Sequence, residues 1–278
     1  MEAVLARRER IRCPVAAGMF YPEDRMDTLE YIRGFGLEKG RGGQAQAIIA
    51  PHGAWGYSGS LAADAFRAAT GRSSSISRVV LLGPIHDRRE NGIFLSNSHS
   101  FYTPLGNIPV DQDICEEFEF CGSYFELNDI PHLGEHSIEI LLPFVKYCFP
   151  YASIVPILMG QPGLEYISDL AQTLKNVITP ILDETLLIVS SNLSSAYDKT
   201  EARTLAEESL RLFSEKDSRA LSSAFFEGRL NACGGALVLS LFESGLLDNR
   251  SPHFPAENMV SAVGAENSTV YYGAVSFE

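Results

Sequence analysis

The sequence contains no Cys-X-X-Cys pair, although it has five cysteines: Cys13, Cys115, Cys121, Cys148 and Cys233. An odd count at irregular spacing argues against a disulfide framework or a structural zinc knuckle and fits free thiols in a reducing compartment. Positive charge is scarce as well: 22 Lys and Arg face 35 Asp and Glu, for a net charge of −13. That balance disfavours nucleic acid or an anionic membrane surface as a partner, because both need clustered cations. No apolar run reaches the uninterrupted length that spans a bilayer, and the basic opening stretch has no apolar core of signal-peptide length. Linkers, internal repeats and low-complexity tracts are also missing. The expectation is one soluble, cytoplasmic domain over residues 1–278, and 45% hydrophobic residues suffice for a large core.

What the chain does have is a series of short apolar runs that end in polar or reactive residues. Ala47-Ile48-Ile49-Ala50 stops at Pro51 and reads as a buried strand, with His52 just past its end. A turn through Gly53-Ala54-Trp55-Gly56-Tyr57-Ser58-Gly59 and a helical pattern from Leu61 follow. Val79-Val80-Leu81-Leu82 repeats the arrangement, with Gly83-Pro84-Ile85-His86 after it. In open α/β sheets ligands bind at the carboxyl ends of strands, so each His is a candidate site residue. A lone strand-end His can equally serve only to hydrogen-bond its turn. Two in neighbouring units can converge, and the pairing favours a shared metal or catalytic site.

A third strand, Leu186-Leu187-Ile188-Val189, ends in the polar cluster Ser190-Ser191-Asn192-Leu193-Ser194-Ser195. Cys233-Gly234-Gly235 opens a helix, where the dipole favours a thiolate able to act as nucleophile or soft metal ligand; a buried, inert thiol is the alternative. His132 and His136 would share one face if their segment were helical, although Pro131 and Gly134 suggest a loop that becomes helical near His136. Further helices are expected over residues 27–34, capped by Asp27, over 112–120, capped by Asp111, and over 164–178, 199–213, 217–226 and 236–242. The loop-rich stretch 100–110 is expected near the site, and 268–277 reads as one edge or hairpin strand with Val270, Tyr272, Ala274 and Ser276 alternating.

Several of these motifs, in this order, resemble the Memo-like family, known in bacteria and archaea as AmmeMemoRadiSam system protein B. They are the opening Pro14-Val15-Ala16-Ala17-Gly18-Met19-Phe20-Tyr21-Pro22, Pro51-His52 with Tyr57-Ser58-Gly59, Gly83-Pro84-Ile85-His86, and Thr103-Pro104-Leu105-Gly106 with Pro109-Val110-Asp111. Glu135-His136-Ser137-Ile138-Glu139, Leu142-Pro143-Phe144 and Cys233-Gly234 complete the set.

The resemblance implies an α/β fold like that of the class III extradiol dioxygenases: three α/β/α layers around a central mixed sheet. It also implies a metal site of His52, His86 and Cys233. Two imidazoles and a thiolate suit iron or copper, and zinc is compatible, with positions left open for water, oxygen or substrate. The family is linked to iron and copper redox chemistry, and its animal member to phosphopeptide binding. This sequence departs from the family pattern at Asn192 and Ser195, where Asp and a proton-transferring His are usual, while His132 and His136 remain as candidate proton carriers. Two readings therefore stand: a mononuclear metalloprotein with redox or oxygen chemistry on an unknown small molecule, or a non-catalytic module holding a peptide or anion in the same cleft.

Overall fold

The apolar runs form the centre of a mixed sheet in the structure, a computed structural model that describes residues 9–38, 40–87, 89–255, 259–264 and 267–278. Residues 1–8, which include Arg7 and Arg8, and Arg88 in the polar loop after His86, lie outside the described residues. In chain order the elements begin with β1 (Ile11–Arg12), α1 (Arg25–Gly34), β2 (Ala47–Ala50), α2 (Trp55–Arg67), β3 (Arg78–Pro84) and β4 (Ile93–Leu95). There follow β5 (Ser100–Phe101), β6 (Ile108–Pro109), α3 (Gln112–Cys121), β7 (Phe125–Leu127), α4 (Ile130–Gly134), α5 (Leu142–Cys148), β8 (Ser153–Met159) and α6 (Leu164–Ile178). The chain continues through β9 (Thr185–Ser190), β10 (Ser194–Ala196), α7 (Lys199–Glu215), α8 (Ser218–Phe226) and α9 (Gly235–Glu243). It ends with β11 (Pro252–His253), β12 (Met259–Val263), β13 (Thr269–Gly273) and β14 (Val275–Phe277).

The large sheet has eight strands in the order β11-β14-β2-β9-β3-β8-β4-β7. Its centre, β2-β9-β3-β8, is parallel, and antiparallel pairs join β14 to β2 and β4 to β8. Every residue of β2 and β9 is buried, which requires cover on both faces and explains why these strands read as unbroken apolar runs. Helices supply that cover in two sets: α6 packs with α3 and α9, and α2 with α5. The observed architecture is thus the expected mixed α/β sheet flanked by helices.

Some elements differ from the expectation, each for a local reason. Helix α1 is capped by Asp24, whose carboxylate accepts from Met26 and Asp27 N–H; Asp27 lies inside the first turn. Helix α2 begins at Trp55, ahead of the expected start at Leu61, despite Gly56 and Gly59. Tertiary packing overrides the glycine penalty there, since Trp55 is buried 4.5 Å from the Phe144 ring and a Cβ at Gly59 would meet Phe35 at 2.5 Å. The C-terminal run is two strands: β13 pairs with β10 and β12, and β14 joins the main sheet beside β2. The stretch 100–110 contributes β5 and β6 to a small sheet with β1 and packs Phe101 against His132; it does not line the cleft described below.

A buried ion pair fastens the N-terminal arm. Arg12 and Glu139 are 2% and 0% exposed, and their side chains form a salt bridge. The Glu139 carboxylate also accepts from Val15 N at 2.9 Å, Ala16 N at 2.7 Å and the Tyr21 hydroxyl at 2.9 Å. Arg12 donates onward to the carbonyls of His132 at 2.9 Å and Glu135 at 2.8 Å. Removing one partner leaves an uncompensated buried charge, so Glu139→Leu is expected to destabilise the fold by about 3–5 kcal/mol. Urea unfolding of both proteins checks this, and a loss below about 1 kcal/mol would show that the pair is not a structural anchor.

Candidate metal centre

Strand β9 lies between β2 and β3, so the ends of these three strands form one ledge. His52 follows β2, His86 follows β3, and Ser190 ends β9. Cys233 reaches the same place from the opposite direction, just ahead of Gly234, the N-cap of α9. The ligand atoms of His52, His86 and Cys233 all lie within 4.8 Å of one another. Cys233 Sγ is 3.3 Å from His52 Nε2.

Groups behind the imidazoles decide which nitrogen faces the thiol. His52 Nδ1 is 2.7 Å from Ser190 Oγ, and the Ser190 hydroxyl donates to Ser137 O at 2.6 Å. With its proton committed there, Ser190 accepts from Nδ1–H, which leaves the Nε2 lone pair towards Cys233. His86 Nδ1 is 2.9 Å from Glu135 Oε1, a carboxylate oxygen that can only accept, so Nε2 again is the free donor atom. Both rings thus present Nε2 to the site, the orientation that metal-binding histidines use. The donor types and the orientation fit a first-row transition metal.

Glu135 is the organiser that sequence reasoning missed. Its carboxylate also accepts from the backbone N–H groups of His86 at 2.7 Å, His136 at 2.8 Å and Ser137 at 2.7 Å. Burial pushes this carboxyl up, but the bonds and charge of His86, with a smaller contribution from His136, hold it at about 2. Glu135, His86 and His136 also have ligand atoms within 4.8 Å of one another, but these bonds already occupy the carboxylate. The available signal was the Glu135-His136 adjacency itself: a carboxylate beside a candidate His is a natural partner for another His.

The two outlying histidines separate. Helix α4 ends at Gly134, so His132 and His136 do not share a helix face. His132 is 1% exposed, with Nε2 3.2 Å from Phe94 O and its ring 5.9 Å from Phe101. Burial drives its pKa to about 4, and it does not line the cleft. His136 does line it, stacked 4.7 Å from the His86 ring and 5.0 Å from Phe20. Burial, aided by the neighbouring His52 and His86, holds His136 at about 4, so it is a neutral imidazole at neutral pH.

Asn192 and Ser195 also border this cleft of about 350 Å³. Asn192 Oδ1 accepts from His52 N at 3.1 Å, and Asn192 N donates to Cys233 Sγ at 3.1 Å, so Asn192 clamps two of the three donors. Ser195 N donates to Asn231 Oδ1 at 2.7 Å, and Ser195 Oγ lies 3.4 Å from Ser268 Oγ, away from the imidazoles. Asn231 was not anticipated; its only sequence signal is closeness to Cys233.

The sequence profile described as "Memo-like protein" matches residues 12–274. The chain belongs to the Memo-like family. A "MEMO1 family protein" of Thermotoga neapolitana is 30% identical over 249 residues, covering 84% of this chain and 88% of the relative. Another, of Nitrosopumilus maritimus, is 25% identical over 279 residues, covering 96% and 99%. A looser likeness, with a TM-score of 0.45 and 12% identity, joins 84% of this chain to 99% of an uncharacterized Escherichia coli K12 protein and carries no functional weight. Among the described residues, no helix of this Memo-like chain is long and apolar enough to cross a membrane.

The electrostatics single out Cys233. Desolvation by the surrounding cleft pushes its thiol up, although the residue keeps an exposed surface, but His52 and His86 overcome that and bring it to about 5. The partnership lifts His86 to about 10 against the opposing effect of burial, so without metal the centre holds an imidazolium–thiolate pair. The depressed thiol stabilises the fold less as pH falls through 5, and the raised His86 less as pH rises through 10, so the pair stabilises between those limits. In chelator-treated protein Cys233 should therefore alkylate with iodoacetamide at a nearly constant rate from pH 8 to 6, falling below about 5. It should also be the first of the five cysteines oxidised by mild peroxide, as read by peptide mapping. Prior reaction of Cys13 or Cys148 would show a protonated, protected Cys233.

Proposed function

We propose that this Memo-like protein is a mononuclear metalloprotein in which His52 Nε2, His86 Nε2 and Cys233 Sγ hold a first-row transition metal, iron or copper before zinc. The observation that carries this reading is the outward anchoring of both imidazoles, by Ser190 and by Glu135, which turns each Nε2 toward the Cys233 sulfur. When bound, such a metal supplies electron transfer and Lewis acidity at an open coordination face. The chain itself supplies orientation through Ser190 and Glu135. Phe20 covers one flank, and His136 offers a neutral imidazole able to hydrogen-bond a cleft-bound molecule. Loading displaces the proton shared between His86 and Cys233, so metal uptake releases protons and strengthens with pH. The competing reading is a non-catalytic module holding a peptide or an anion in the same cleft; among the described residues no Lys or Arg lines the cleft to pair with an anion.

Metal analysis of protein purified without chelator or histidine tag tests the proposal. Close to one equivalent is expected in the natural protein and a small fraction of that in Cys233→Ser. Ser190→Ala, which removes only the support behind His52, should weaken metal affinity about 10–100-fold in chelator competition. Equal metal content in natural and Cys233→Ser protein would overturn the reading.

Extradiol cleavage of catechols is not expected at a useful rate, even from ferrous protein. Positioned acid–base help is worth about 10²–10⁴-fold, and Ser195 is tied to Asn231 and Ser268 rather than offering an imidazole. A catechol panel monitored for the yellow ring-opened product after anaerobic iron loading checks this. Robust turnover by the natural sequence would refute it, and a gain in Asn192→Asp with Ser195→His would locate the deficit at those positions.

A further inference from the structure

The C-terminal strand β13 brings one more polar atom to the cleft. Its side chains alternate, so Val270 and Tyr272 line the cleft while Tyr271 does not. Ser195 pairs with Val270 across the β10–β13 ladder, which puts Tyr272 two residues further along on the same face as Val270. Tyr272 as a whole is 6% exposed; its phenol hydroxyl has no hydrogen-bond partner among the described residues and is not one of the fully enclosed unpartnered atoms, so it stays accessible at the cleft. The ring occupies space that exists only because residue 53 is glycine: a Cβ at Gly53 would lie 2.5 and 2.6 Å from ring carbons and 2.9 Å from the hydroxyl oxygen. Gly53 directly follows His52, so the phenol is held beside the donor set. An aromatic hydroxyl with no protein partner among the described residues, held at a polar cleft, is free to hydrogen-bond a molecule bound there.

We propose that the Tyr272 hydroxyl donates a hydrogen bond to the molecule bound at the open face of the His52–His86–Cys233 centre, and that Gly53 exists to admit it. The occupant thereby belongs to a chemical class: small and uncharged or singly anionic, presenting an acceptor atom next to the atom that meets the metal, as a carbonyl, hydroxyl or carboxylate oxygen does. The inference rests on the proposed metal centre, and the experiment separates the two.

Cobalt(II)-loaded natural protein, Tyr272→Phe and Gly53→Ala would be titrated with azide, a small acceptor-bearing probe, following the visible cobalt absorption. Bound cobalt and the unfolding midpoint would be measured for each. Tyr272→Phe keeps the ring and removes only the donor, and should weaken azide binding about 3–10-fold with cobalt content unchanged. Gly53→Ala keeps the hydroxyl but displaces it, and should show a loss in the same direction. Full cobalt content with unaltered azide affinity in Tyr272→Phe would overturn the role of Tyr272 and leave the metal centre standing. Failure of the natural protein to take up cobalt would overturn the centre and this inference with it.

Discussion

The buried Arg12–Glu139 pair is the constraint on which the site depends. Charges this deeply enclosed are tolerable only when every donor and acceptor around them is satisfied. Here that requirement ties the N-terminal arm, through Val15, Ala16 and Tyr21, to the segment that carries Glu135 and His136. The arm then continues to Phe20, whose carbonyl accepts from the Trp55 N–H at 2.8 Å where α2 begins. Trp55 closes the circuit by donating its indole N–H to Ile140 O at 3.2 Å. A single electrostatic obligation thus connects the arm, the Glu135 loop and the start of the helix that follows His52.

The same logic of satisfied partners runs outward from the cluster of His52, His86 and Cys233. Ser190 can orient His52 because β9 separates β2 from β3 and ends level with Ala50. Glu135 can orient His86 because three backbone N–H groups stabilise its charge. Parallel strands make this economical, since neighbouring carboxyl ends place consecutive loops side by side. The thiolate is the exception. It arrives from a distant part of the chain and is retained by Asn192, itself two residues past the end of β9.

Much of the fold was legible because parallel strands buried on both faces leave unbroken apolar runs, and because Asp111 caps its helix as its side chain predicts. His52, His86 and Cys233 were legible by position, at strand ends and ahead of a helix. Helix α2 was misjudged because its glycines oppose helix formation and only the Trp55, Phe35 and Phe144 packing outweighs them. The C-terminal run was read as one strand because alternation continues through Ala274, where the chain passes from one sheet to another.

The sequence alone determined the chemistry that is available: which residues carry imidazole, thiol and carboxylate, and which apolar runs set them at strand ends. Only the tertiary structure decided how that chemistry is distributed. It sent His132 into the interior and His136 into the cleft, although they are four residues apart, because α4 stops at Gly134 and the chain turns there. It gave Glu135 and Ser190 their roles through contacts 49 and 138 residues away in the chain, distances at which no local pattern carries information. It also set Tyr272 against Gly53, a pairing created by sheet register rather than by spacing.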